Sequence, residues 1–97
     1  MLIFLTKSNN PTKKFMVIVN GKTIHFGDKR YEDFTTHRDE KRKQAYINRH
    51  KKNEDWTLNG IETAGFYSRW LLWEKSSIED SIENLKNKFN IDILYIK

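Results

Sequence analysis

Seven of the chain's eighteen lysines and arginines fall between residues 35 and 52, in TTHRDEKRKQAYINRHKK. The same run holds His37, His50 and Tyr46, against only Asp39 and Glu40 as acids. Cations on one rigid element, spaced at intervals a nucleic-acid backbone can match, neutralise phosphates and release counterions. Arginine suits the task because its planar fork grips phosphate in two places. Arg38, Lys41, Arg42, Arg49, His50, Lys51 and Lys52 are therefore the candidate phosphate contacts, with Lys13 and Lys14 assisting. The competing reading is an ordinary solvated helix whose charges bind nothing in particular.

Two further groupings bear on chemistry. His37, Asp39 and His50 are the residues that a metal-dependent nuclease would use, though nothing in their spacing demands it. Thirteen residues separate the two histidines, and neither HxxxH nor HExxH occurs. No metal and no cofactor is expected. In TAGFYSRWLLW (63–73), Phe66, Trp70 and Trp73 recur at helical spacing and read as core. Tyr67 falls on the opposite side, as the ring most available to stack on an unpaired base. Arg69, inside this apolar run, is expected to pair with Glu62 or Asp55. GxGxxG, GxxxxGK[ST] and GxSxG are absent, so no enzyme motif is present.

The whole chain agrees with a polyanionic partner. Residues 1–53 carry thirteen Lys and Arg against five Asp and Glu; residues 54–97 carry five against eight. Such a split concentrates positive potential on one side. Thirteen Lys, ten Ile and nine Asn match the bias an AT-rich genome imposes, which weakens any argument from lysine count alone. With no cysteine, disulfides, thiolate zinc sites and cysteine nucleophiles are excluded. MLIFLTKSNN lacks the basic leader of a signal peptide, and no stretch approaches the ~20 apolar residues of a membrane span. A soluble protein without membrane contact is expected.

Ninety-seven residues suit one domain, 1–97. FMVIV and KTIHF flank Asn20-Gly21, the strongest two-residue hairpin signal, which predicts a β-hairpin over 15–26. GDKRYEDFTT follows as a loop, with Tyr31 and Phe34 expected to tuck against the sheet. Thr36-His-Arg-Asp39 has capping-box spacing and predicts a helix over 38–52. A second helix is predicted over 64–74. The third spans 77–89, where Ser76 and Glu79 suit a cap and Ile78, Ile82, Leu85 and Phe89 form one stripe. LIFLT opens the chain and IDILYIK closes it as strands. The expected fold is α+β: a small antiparallel sheet built on the hairpin, about three helices and a C-terminal strand.

The run HFGDKRYEDFTTHRDEKRKQAYINRH, then NEDW, then TAGFYSRWLLW, resembles a family of small basic proteins of nucleocytoplasmic large DNA viruses. The matching positions include His25, Phe26, Gly27, Tyr31, Asp33, Thr35, His37, Asp39, Arg42, Tyr46, Arg49, His50, Trp56, Gly65, Phe66, Ser68, Arg69 and Trp73. They span roughly residues 15–89. The resemblance implies a viral source, hence the virion or the infected cell's cytoplasm or nucleus, and no defined activity. The expected function is non-enzymatic nucleic-acid binding, with DNA the expected form, through the basic helix. The alternative is a virion or capsid-associated protein that binds an acidic protein surface, and the third reading is the nuclease. Nothing in the sequence sets the oligomeric state.

Overall fold

The computed structural model describes residues 1–97. Four strands form one sheet in the order β3-β2-β1-β4: β1 (Leu2–Lys7), β2 (Lys13–Val19), β3 (Lys22–Asp28) and β4 (Asp92–Ile96). β2 and β3 make the expected hairpin, with Asn20 and Gly21 at φ 51° and 75°, as its two-residue turn requires. β1 pairs antiparallel to β2, but β4 pairs parallel to β1, so the α+β sheet is mixed rather than wholly antiparallel.

Alternation along each strand sends Ile3, Leu5, Val17, Val19, Phe26 and Ile93 to one face. That face is covered by α4 (Ile78–Phe89) and by α3 (Ala64–Tyr67), which continues as a π-helical turn over Ser68–Leu72. Ser77 caps α4 by accepting from the Asp80 amide, one residue later than the predicted cap. Ile82 and Leu85 then face the core as the stripe requires.

The π turn explains one misreading. Trp73 N–H donates to the Ser68 carbonyl at 3.1 Å, an i→i−5 bond that inserts an extra residue in the turn. The segment is also covered on two sides, by the sheet and by α4. Phe66, Tyr67, Trp70, Leu71 and Leu72 are consequently all buried. Tyr67, expected as an exposed stacking ring, is fully buried against Phe26 and Phe66. Burial, with Glu62 adding to it, raises its phenol well above the ordinary range.

Candidate nucleic-acid interface

The basic helix, α2, runs over Glu40–His50 rather than 38–52. Asp39 is its N-cap and accepts from the Lys41 and Arg42 amides, displacing Thr36 from that role. One residue earlier, Arg38 adopts a left-handed conformation (φ 54°) and closes a single helical turn, α1 (Phe34–His37). At its far end Lys51 is the C-cap, and Lys52 lies just beyond.

Only Tyr46 is buried in α2, and it is held by stacking. Its ring lies parallel to Trp73 at 4.4 Å, with Trp56 beyond at 6.3 Å and His50 tilted over it at 4.6 Å. Burial first, then the nearby Glu54, pushes the Tyr46 phenol up to about 12, against the opposing pull of Arg69 and Arg49. At about 100° per residue, Lys41, Arg42, Ala45 and Arg49 fall within an arc of roughly 100° beside the buried stripe. All four are exposed.

The partners of the candidate cations separate them into two groups. Lys41, Arg49, Lys51, Lys52 and Lys13 have no carboxylate of the chain within 4.0 Å. Arg42 reaches Glu32 only at 3.7 Å, with both side chains at least half exposed. An exposed pair of that length contributes little. Arg38 donates from Nε to the Ser76 carbonyl at 3.2 Å and ties α2's entry to the α4 loop. Lys14 is structural: its ammonium sits 2.7 Å from the buried Asp33 carboxylate and donates to the Tyr31 carbonyl. Asp33 in turn caps α1 through the Thr35 amide.

Lys43, which the sequence did not single out, anchors the helix. Its ammonium donates to the Glu74 carbonyl at 2.8 Å and lies 3.7 Å from the Glu74 carboxylate. The same carboxylate takes Arg69 at 2.8 Å, in place of the expected Glu62 or Asp55. Glu62 is engaged by Lys22 and Asn20, and Asp55 by Thr57. Burial pushes the Glu74 carboxyl up, but the Arg69 hydrogen bond and the charges of Arg69, Lys43 and Lys75 outweigh it, so the net shift is downward.

A cleft of about 450 Å³ opens between α2, the end of β3 and α3. Lys13, Arg49 and His50 line it with Tyr31, Glu54 and Ser68. Tyr31 departs from expectation: Phe34 is buried, but Tyr31 is 66% exposed. Its backbone is fixed at both ends. The amide donates to the Asp28 carbonyl and the carbonyl accepts from Lys14. Asp28 itself is locked by the Arg30 side chain and amide, which lower its carboxyl to about 2. The Arg30 guanidinium stands 5.5 Å from the Tyr31 ring centroid.

His37, Asp39 and His50 are not brought together. Asp39, the N-cap, and His50, the last residue of α2, sit at opposite ends of the helix, roughly 16 Å apart at 1.5 Å per residue. His37 accepts the Asp39 amide on Nδ1 and packs on Trp73. No group of three or more His, Cys, Asp or Glu side chains is placed to hold a metal ion. No helix is long and apolar enough to cross a membrane.

No curated protein and no solved structure matches the chain. Residues 4–50, from β1 through α2, match the model of a family of unknown function (DUF5754); the side of the cleft built by Glu54, Ser68 and Trp73 lies beyond the matched region.

Proposed function

We propose that the chain is a non-enzymatic nucleic-acid-binding protein of a large DNA virus, acting in the virion or the infected cell. Lys41, Arg42, Arg49, Lys51 and Lys52 contact phosphates, and Lys13 extends the surface across the cleft. The observation that carries the reading is the set of uncommitted cations. The chain's own Asp33 and Glu74 carboxylates pair with Lys14, Lys43 and Arg69, while Lys41, Arg49, Lys51 and Lys52 are left without a close acid and Arg42 has only the exposed Glu32. Cations already neutralised internally would release no counterions on binding, and these are not neutralised. Tyr31 takes the stacking role in place of Tyr67, since a ring on a fixed turn loses little freedom when a base lies on it.

Fluorescence anisotropy with labelled single-stranded and duplex DNA and RNA tests this directly. Affinity is expected to fall steeply with salt. Replacing Lys41, Arg42 and Arg49 by Glu should remove binding at ~100 mM salt. Tyr31→Ala should weaken single-strand binding roughly 5- to 150-fold, the value of one stacked base, and leave duplex binding unchanged. A triple variant that binds as tightly as the parent overturns the assignment of α2. An acidic protein partner that excess nucleic acid fails to displace would favour the virion-structural alternative instead.

A further inference from the structure

The helices cover one face of the sheet; the other carries an apolar surface that a 97-residue chain should not leave in water. Leu2, Phe4, Ile18, Leu94 and Ile96 all point outward from it and are 37–52% exposed. The strand register sets them in rows. Thr23, Ile18, Phe4 and Leu94 lie side by side across all four strands. His25, Met16, Thr6 and Ile96 form the next row. Neither row contains a Lys, Arg, Asp or Glu, in a chain that is 32% charged. Scattered exposed apolar residues are ordinary, but a contiguous patch that excludes charge marks an interaction site.

We propose that this face is the interface of a homodimer, sheet packed on sheet about a two-fold axis near Phe4. Area supports a second copy. Four strands at about 4.8 Å and five or six residues at about 3.4 Å make a face roughly 20 Å on each side. Its corrugated accessible surface is on the order of 600–800 Å², what a standard interface asks of each partner. Charge supports it too. A net charge of +5 makes two copies repel through most orientations. The two uncharged rows are where copies meet without opposing like charges. An isologous contact also needs only a patch complementary to itself, and two sheet faces pack on each other at the angle that their twist sets.

Docked this way, each copy keeps α2 clear of the interface. That helix is anchored on the helical layer through Tyr46 and Trp73, and none of its residues belongs to the two uncharged rows. The dimer rests on the sheet alone and stands or falls independently of nucleic-acid binding.

Sedimentation velocity on the full chain between ~1 and ~200 μM decides the matter. The expected result is a species of twice 11.7 kDa, with a Tm that rises with concentration. Ile18→Lys combined with Leu94→Lys should weaken dimerisation at least ~100-fold, because four ammonium groups would be desolvated at the contact. Both side chains already point to solvent, so far-UV circular dichroism should be unchanged. Lys41→Glu with Lys52→Glu, both outside the two rows, should leave the mass doubled. A parent chain that stays monomeric at the highest concentration overturns the proposal. So does a folded Ile18→Lys/Leu94→Lys variant that remains dimeric.

Discussion

Glu74→Gln tests whether one carboxylate holds α2 against the body. Glu74 accepts from Arg69 at 2.8 Å and lies 3.7 Å from Lys43, whose side chains are only 11% and 15% exposed. Gln keeps the shape and removes the charge, leaving two nearly buried cations without a counterion. Losing one partner of a fully buried pair costs about 3–5 kcal/mol. Here the loss is smaller. Arg69 keeps the Trp73 carbonyl and the rings of Trp70 and Trp56, at 4.6 and 5.5 Å, and Lys43 keeps the Glu74 carbonyl. About 2–3 kcal/mol is expected. For a domain of this size that lowers Tm by roughly 10–20 °C. The pH dependence adds a signature. The folded-state pKa of Glu74 lies below its ordinary value of 4.5, so its contribution is complete above that pH and fades as pH falls through the folded value. Thermal melts from pH 7 to 3 should show the gap between parent and variant closing toward acid. Arg69→Met combined with Glu74→Leu should recover part of the loss. A variant within ~0.5 kcal/mol of the parent at pH 7 would refute the anchoring role.

Other positions give sharper yes-or-no outcomes. Gly27 has φ 79°, and an added Cβ would lie 2.8 Å from Leu72 Cδ1, so Gly27→Ala should cost about 2–4 kcal/mol in chemical denaturation. Gly60→Ala should cost at least as much, ~3 kcal/mol or more, because its Cβ would collide with the Asp55 carbonyl, a backbone atom that cannot step aside. The nearest atoms that Gly65→Ala would meet belong to the Glu54 carboxylate, the end of a flexible side chain. It should therefore keep the fold within ~1 kcal/mol while displacing Glu54 from the cleft, a change visible in amide chemical shifts there. The buried Tyr67 hydroxyl has no hydrogen-bond partner in the chain, so Tyr67→Phe should leave stability unchanged or raise it by up to ~1 kcal/mol.

What could be read from the sequence follows from how local each signal is. The Asn20-Gly21 hairpin and the α4 stripe depend on neighbours a few residues away, and both stand as expected. Thr36 with Asp39 three residues on suggests a cap and a helix from 38, but the left-handed Arg38 ends a separate turn there and Asp39 itself becomes the cap of α2. No residue type announces an i→i−5 bond, so the π turn and the burial of Tyr67 were not legible. Nor was the parallel pairing of β1 and β4, two short apolar strands separated by almost the whole chain. At the candidate site the cations of α2 were legible as a set. Their partners were not, since Glu32, Glu74 and Ser76 are brought to Arg42, Lys43 and Arg38 by other segments. Tyr31 was missed for the same reason: its exposure is set by Lys14 and Asp28, not by its own neighbours.

The parallel β1–β4 contact also bears on how the protein is made. Of the four strands β1 leaves the ribosome first and β4 last, yet they are side by side in the finished sheet. While β4 is still in the exit tunnel, the nascent chain can close its hairpin, but β1 waits with one edge unpaired and Ile3 and Leu5 without their full cover. Closing so long a loop costs only logarithmically more than closing a short one, so final stability hardly suffers. Speed does suffer, because distant pairings are slow to find. During that interval the first strand is the segment most exposed to capture by a chaperone or by another nascent copy.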